Sequence, residues 1–163
     1  MKKILGILGT ITLIGTSTTS LVSCNTPQEY TPEELKEIKE KNKIDTKNQT
    51  IRDNLEWIAP QEFWFNEIDN KWYYVVWRNY KSNDWRINKF NNNNISISIV
   101  MDNYPNLGKF RGRLQISNSV TDRILLENDD GTHFKSVYRW NGEEQKLPNL
   151  DIDKYGNIKI KGE

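Results

Sequence analysis

KWYYVVWRNY, residues 71–80, is the stretch of sequence that decides the fold class. Every position from Trp72 to Trp77 is aromatic or β-branched, a composition that favours a strand. Because no polar residue interrupts the run, we predict that both faces of this strand are covered and that Trp77 lies in the core. The preceding run QEFWFNEI (61–68), joined to it through Asp69-Asn70, predicts a hairpin.

Further short runs with the alternation of a strand follow this segment. They lie at 85–90, 95–99, 113–117, 122–128 and 132–142 and in the tail 150–162, whereas 102–112, with Pro and two Gly, is predicted as a loop. We therefore predict a mainly β fold, an antiparallel meander or twisted sheet of seven or eight strands. Trp and Arg recur together in VVWRN (75–79), DWRINKF (84–90) and VYRWNG (137–142), which resembles two propeller blades. The chain is too short for a closed propeller.

The segment before residue 60 has helical patterns. In TPEELKEIKEKNK (31–43), Thr31 and Glu34 have the spacing of a capping box, and Pro32 suits the first helical turn. Leu35 and Ile38 are its apolar residues, so we expect a solvated helix that acts as a stalk and adds little to the core.

A second short helix is predicted where Ile51, Leu55 and Ile58 recur at helical spacing, ended by Pro60. The resulting division is a signal peptide (1–23), a tether with helical stalk (24–60) and a β-rich domain (61–163).

The N-terminal stretch MKKILGILGTITLIGTSTTSLVS (1–23) is typical of a secretory signal. Lys2 and Lys3 supply the positive start, Ile4 to Ile14 is uncharged and apolar, and small polar residues follow. A membrane-spanning anchor is the alternative, since a bilayer core needs roughly 20 residues. The Ser- and Thr-rich second half of the segment favours a cleaved signal.

Cys24 is the single cysteine of the chain and follows this signal directly. Leu21-Val22-Ser23-Cys24 resembles a bacterial lipobox, which implies recognition of Leu21, Val22 and Ser23, cleavage before Cys24, and a diacylglyceryl group on its sulfur. The alternative is a buried apolar thiol. Two acyl chains hold a protein firmly on a bilayer, so the membrane is the predicted partner. With its one thiol used as the anchor, the rest of the chain has no disulfide and no cysteine-based metal site.

Charge and aromatic content limit the function classes. Removal of Lys2 and Lys3 with the signal changes the formal net charge from +1 to −1, so there is no basic excess to bind nucleic acid. Mean hydropathy is low at −0.79, yet all six Trp, seven Tyr and five Phe follow residue 23. Each buried aromatic removes about 150–250 Å² from water, which supports a small folded core.

Residues that could carry catalysis or bind a metal are better explained as turn formers. His133 is the single histidine and follows Asp129-Asp130 in a predicted turn, and the chain has no G-x-S-x-G motif. Asp151-Ile152-Asp153-Lys154-Tyr155-Gly156 begins like a calcium loop but has Tyr155 where an oxygen ligand is needed. We predict no catalytic residues, no metal site, no cofactor and a chain that is not an enzyme.

The aromatic residues allow two interpretations. Trp64, Trp72 and Trp85 are candidates for a binding platform that would contact a sugar or a partner protein. Core packing is the preferred interpretation, because a small sheet of this composition has few other large apolar residues.

The lipobox, the richness in Asn, Lys and Ile, and the strings YYVVWRN, DWRINKF and DGTHFKSVYRWNG together resemble membrane lipoproteins of the Spiroplasma (mollicute) type. That resemblance implies an exported protein, lipid-anchored on the extracellular face of the cell membrane, and supplies no catalytic residues. The predicted function is a binding or structural role at the cell surface, with a host-surface protein or carbohydrate as partner. The alternative is a degraded or accessory domain of a surface hydrolase.

Overall fold

A computed structural model describes residues 30–63, 65–99, 106–117 and 122–162. These ranges contain two helices, α1 (Pro32–Lys41) and α2 (Gln49–Asn54). They also contain ten strands: β1 (Leu55–Trp57), β2 (Trp72–Trp77), β3 (Arg86–Asn91), β4 (Ile97–Ile99), β5 (Asn106–Phe110), β6 (Arg113–Ser117), β7 (Arg123–Leu125), β8 (Phe134–Trp140), β9 (Leu150–Ile152) and β10 (Ile158–Ile160). The mainly β prediction is confirmed.

The strands form two four-stranded antiparallel sheets and one hairpin. The first sheet has the order β1-β8-β2-β3, the second has the order β4-β5-β6-β7, and β9 pairs with β10. The second sheet is a meander, as predicted. The first is not, because β8 lies between β1 and β2 and joins distant parts of the chain.

Strand β2 lies inside the first sheet and is covered on both faces, as its sequence predicts. It pairs along its whole length with both β3 and β8, and the register with β8 shifts between Val76 and Trp77. Tyr73, Val75 and Trp77 belong to one apolar cluster, and Tyr74 belongs to a second. Alternate side chains of one strand therefore enter two different cores.

The first core fills the space between the two sheets. Trp77 is 0% exposed there, and its indole Nε1 donates to Asn88 Oδ1 at 2.8 Å. The other members are Ile58, Phe63, Phe65, Tyr73, Val75, Phe90, Leu107, Leu114, Ile116, Leu126, Phe134 and Val137. Phe65, Tyr73 and Phe90 form a group of ring contacts with centroids 5.1–5.9 Å apart.

The second core lies on the opposite face of the first sheet. Its buried members are Ile44, Ile51, Leu55, Trp57, Ala59, Tyr74, Tyr138 and Trp140. Leu150, Ile158 and Ile160 of the β9–β10 hairpin pack against it, as do Leu35 and Ile38 of α1. The helices and the hairpin thus form the layer that keeps water from this face of the sheet.

Two predictions for residues 49–68 are wrong. Residues 60–62 form a 3-10 turn, and no strand lies between 61 and 68 among the described positions, so β2 takes β3 and β8 as partners instead of forming the predicted hairpin. Asn70 does occupy a turn conformation with φ 55°. The second predicted helix ends at Asn54, and Leu55 begins β1, because pairing with β8 places Leu55 opposite Trp140 in the second core.

Helix α1 begins where the sequence predicts it. The Thr31 Oγ1 accepts from the Glu34 N–H at 3.3 Å, and the Glu34 carboxylate accepts from the Thr31 N–H at 2.9 Å, which completes the capping box. Its apolar residues dock on the second core, however, so the helix is more than a solvated spacer. Strand β1 likewise places residues 55–57, assigned to the stalk segment, in the sheet.

An ion-pair cluster around Glu56 ties α1 to the sheet. Lys39 Nζ lies 2.5 Å from Glu56 and 2.7 Å from Glu62, while Arg139 Nη2 lies 2.7 Å from Glu56. Burial by itself would raise the pKa of Glu56, but hydrogen bonds from Lys39, Asn141 and Arg139 outweigh it and lower this pKa to about 2. The cluster therefore stabilises the docked helix while Glu56 is ionised.

We predict that Trp77→Ala lowers the free energy of unfolding by about 3–5 kcal/mol, the usual cost of truncating a large aromatic in a packed interior. Trp72→Ala is the matched control, since Trp72 is half-buried on the same strand and should cost clearly less. Urea denaturation followed by circular dichroism measures both. A loss under about 1 kcal/mol for Trp77→Ala would contradict the assignment of this residue to the core.

We predict that Glu56→Gln lowers the free energy of unfolding by about 1–2 kcal/mol at pH 7, less than the full pKa shift implies because the pair is partly solvated. The folded-state pKa is below the usual 4.5, so the stabilisation is complete above pH 4.5 and is lost as the pH falls toward 2. The difference in free energy of unfolding between wild type and Glu56→Gln should therefore decrease as the pH falls from 4.5 toward 2.

The control for this substitution is Glu67→Gln, because Glu67 is exposed and forms no ion pair with another described residue. Equal effects of the two substitutions, or a gap that stays constant from pH 7 to pH 3, would show that the Glu56 cluster does not hold the helix.

Candidate functional site

The predicted anchor lies outside the described residues. This applies to Cys24 and to Leu21, Val22 and Ser23, and the platform candidate Trp64 is outside them as well. The first described residue is Tyr30, whose backbone N–H donates to the Gln61 side chain at 2.7 Å and whose carbonyl accepts from it at 3.3 Å. The chain is therefore fastened to the domain six residues after Cys24. Within the described ranges, neither helix has the length and apolar composition to cross a bilayer.

The structure does not bring Trp72 and Trp85 together. Trp72 lies beside Asn91 at one end of the β2–β3 pair, whereas Trp85 precedes Arg86, which pairs with Trp77 at the other end. Six residue positions along a strand separate them by about 20 Å. Each belongs to a separate surface, so these two residues do not form one shared platform.

Trp85 is half-buried and has neighbours from three parts of the chain. The guanidinium carbon of Arg78 lies 4.2 Å from the ring centroid and Lys135 Nζ lies 5.8 Å from it. Gly156, with φ 79°, approaches so closely that a Cβ there would lie 2.6 Å from Trp85 Cγ. The ring thus helps to pack the β9–β10 turn onto the sheet.

Trp72 has a polar neighbour at its indole nitrogen. Its Nε1 donates to Glu144 Oε1 at 3.1 Å, and Lys89 Nζ lies 5.4 Å from its ring. The ring also packs against the second core, which leaves it half-buried. Trp72 therefore contributes to the second core while one edge of its ring remains exposed to solvent.

The acidic residues of the two turns have structural roles. Asp129 accepts backbone N–H groups of Gly131 at 3.0 Å and Phe134 at 2.9 Å, and lies 2.9 Å from His133 Nδ1. Asp153 accepts from the N–H groups of Tyr155 and Asn157, each at 2.8 Å. Both predicted turns are confirmed. Among the described residues, no group of three His, Cys, Asp or Glu side chains is arranged to hold a metal ion.

An open cleft of about 420 Å³ lies beside the end of β8. It is lined by Thr50, Asn54, Trp140, Asn141, Gly142, Glu143 and Lys146. The Trp140 ring is 1% exposed, its Nε1 donates to the Glu143 carbonyl at 2.8 Å, and Gly142 packs on its face. The cleft can therefore offer hydrogen bonds from amides, a hydroxyl and an ion pair, with little aromatic surface. No local pattern in the sequence indicates this cleft, because its lining comes from α2 and from the end of β8, which only the folded chain brings together.

Lys109 is 1% exposed, and its burial was not predicted from the sequence. Residues 102–112 were predicted as a loop, but 106–110 form β5, and Leu107 and Lys109 point into the first core together. The one local indication of this strand was the spacing of Leu107 and Lys109, which are two positions apart and therefore share a face of a strand. The Lys109 amine donates to the Asn92 side-chain oxygen and to the Phe65 carbonyl, the latter at 3.4 Å.

Asn92 connects this amine to a carboxylate. Its amide donates to Asp69 Oδ1 at 2.9 Å, and Asp69 also accepts from the Tyr73 hydroxyl at 2.6 Å. Burial lowers the pKa of Lys109, and the charge of Asp69 opposes that shift. The groups that accept hydrogen bonds from the Lys109 amine are neutral. They do not fully replace the water that the buried charge has lost, so the charged amine lowers the stability of the fold.

We predict that Lys109→Met changes the pH dependence of stability. The unfolded chain binds this proton more tightly than the folded one, so wild type should gain stability as the pH rises from the lowered pKa of Lys109 to 10.5. Methionine has no ionisable group, so it makes no such pH-dependent contribution. The free energy of unfolding of Lys109→Met minus that of wild type should therefore fall as the pH rises from the lowered pKa of Lys109 to 10.5. Lys159→Met, at an exposed position of β10, is the control and should show no such trend. Urea denaturation measures both free energies of unfolding. A difference between Lys109→Met and wild type that does not change with pH would contradict a charged, buried Lys109.

Comparison with known proteins gives no relative for this arrangement of strands. No protein-family model matches the chain, and neither the curated proteins nor the solved structures contain a significant match.

Proposed function

We propose that this chain is a surface lipoprotein, held on the outer face of the cell membrane by a lipid on Cys24, whose β-rich domain has a binding or structural role. The observation that carries the proposal is the tetrapeptide Leu21-Val22-Ser23-Cys24 directly after a charged start and an uncharged apolar run. A signal of this kind directs export, and a cysteine at its end provides the thiol that is acylated.

Cysteine usage supports the same proposal. Cys24 is the single cysteine in 163 residues, so the chain has no second thiol with which it could form an internal disulfide. Each buried methylene of an acyl chain adds about 0.8 kcal/mol of membrane affinity, and two chains give stable attachment. A thiol at this position is therefore explained by anchoring.

The short connection between Cys24 and the folded domain bears on how the protein would work. Six residues span at most about 20 Å, and Tyr30 is already bonded to Gln61 of the domain. A domain held by a lipid on Cys24 would therefore work close to the bilayer surface.

A binding role is supported by the cleft beside Trp140. Its lining of amide and hydroxyl groups with one ion pair suits a polar ligand, such as a carbohydrate or a polar segment of a host-surface protein. Hydrogen-bonding groups of this kind would set the orientation of the ligand.

We predict that Cys24→Ser leaves the precursor uncleaved and without lipid in a bacterial host that processes lipoproteins. Intact mass spectrometry of the membrane-extracted wild type should show a chain that begins at Cys24 with a diacylglyceryl group attached. Ser23→Ala, which keeps a small residue before the cysteine, is the control and should be processed normally. A wild-type chain that still begins at Met1, or that is cleaved without a lipid, would overturn the proposal.

A further inference from the structure

The tip of the β5–β6 hairpin carries an exposed apolar and cationic surface. Arg111 and Gly112 have positive φ values of 50° and 76° and make the turn between the two strands. Phe110 is 45% exposed, and Ile95 of the neighbouring loop, whose carbonyl accepts from the Gly112 N–H at 3.0 Å, is 41% exposed. We call Ile95, Phe110, Arg111 and Arg123 the hairpin-tip patch.

The two arginines of the hairpin-tip patch are free of carboxylate partners in the described part of the chain. Arg111 Cζ lies 5.2 Å and Arg123 Cζ 5.8 Å from the centre of the Phe110 ring, and neither arginine forms an ion pair with a carboxylate of the described residues. The nearby Arg113, in contrast, is paired with Glu127. Two guanidinium groups with no carboxylate partner among the described residues therefore lie beside one exposed aromatic ring.

The hairpin-tip patch also lies near the point where the anchor segment joins the domain. The Gly112 carbonyl accepts from the Phe65 N–H at 3.0 Å, so the hairpin turn rests on the backbone at residue 65. Gln61, which holds Tyr30, is four residues before Phe65, a distance of at most about 14 Å along the chain. Cys24 is within about 20 Å of Tyr30 by the same measure.

We propose that the hairpin-tip patch contacts anionic lipid headgroups of the membrane that holds Cys24, an inference that rests on the proposed lipid anchor. Guanidinium groups bind phosphate oxygens in a planar, bidentate geometry, and a basic residue near an anionic leaflet strengthens attachment. Phe110 and Ile95 supply apolar surface that can enter the headgroup layer, which a soluble polyanion would not require. The contact would fix which side of the domain faces the membrane and which side faces outward.

The test measures vesicle binding of residues 24–163 carrying Cys24→Ser in every arm, so that neither an acyl chain nor the apolar, Lys-bearing signal segment contributes. Cosedimentation compares vesicles of phosphatidylcholine with vesicles that also contain about 30 mole per cent phosphatidylglycerol, an anionic lipid whose negative surface potential attracts basic residues. We expect binding to the anionic vesicles to be about tenfold tighter or more. Arg111→Gln with Arg123→Gln should abolish most of that preference.

Matched variants separate the hairpin-tip patch from general electrostatics. Arg52→Gln with Arg86→Gln removes the same charge from two other exposed positions and should change the preference less than about threefold, since the charges lie elsewhere on the surface. Phe110→Ser should weaken anionic binding several-fold by removing the apolar contact. Circular dichroism confirms that each variant is folded.

Three results would overturn the proposal: no preference for anionic vesicles, equal losses from the two arginine pairs, or full competition by millimolar inorganic phosphate with no effect of Phe110→Ser. The last would identify a soluble anion as the ligand. Because lipidation is measured on the wild-type chain by mass and vesicle binding is measured without the lipid, failure of the anchor and failure of the hairpin-tip patch give different results.

Discussion

Strand β2 has no polar position between Trp72 and Trp77, and a strand of that kind has to be shielded from water on both faces. Tyr73, Val75 and Trp77 point into the core between the sheets, and Tyr74 points into the core on the other side. The second sheet covers one face. The helices and the β9–β10 hairpin cover the other. The layered arrangement of the domain follows from this single requirement.

Two charged groups near these cores, Glu56 and Lys109, affect the stability of the fold in opposite ways. Glu56 of β1 is paired with Lys39 of α1 and Arg139 of β8, and together with Glu62 these residues are two acids and two bases that compensate one another at the edge strand of the first sheet. Lys109 extends into the first core with neutral partners, so its charge has weaker compensation. The first arrangement stabilises the fold at neutral pH, whereas the second reduces its stability until the amine loses its proton.

The surfaces left outside the two cores divide the domain into regions with different chemistry. The cleft beside Trp140 presents amides, a hydroxyl and an ion pair, and the hairpin-tip patch presents an aromatic ring between two guanidinium groups. The proposed anchor at Cys24 is joined to the domain near the second of these regions. A protein held in this way would keep its cationic hairpin toward the lipid, and its orientation would then decide which ligands reach the cleft.

Local sequence patterns determined several elements by themselves. The unbroken apolar run predicted β2 and the burial of Trp77, the spacing of Thr31 and Glu34 predicted the start of α1, and the aspartates predicted the turns at 129–131 and 153–156. Each of these depends on residues within a few positions of one another, so the interactions that cause them are present in the sequence. The signal and the lipobox are also local patterns, and they remain predictions.

The tertiary structure alone decided which strands pair and which residues those pairings bury. Leu55 begins a strand because β8 offers it a partner 85 positions away, and β2 pairs with β8 in place of the run before it. Lys109 is buried because β5 lies between β4 and β6 over the first core, and Trp85 is covered because Gly156 packs on it from the far end of the chain. The periodicity of a segment states which side chains share a face, but the surface that covers that face is supplied by residues remote in sequence.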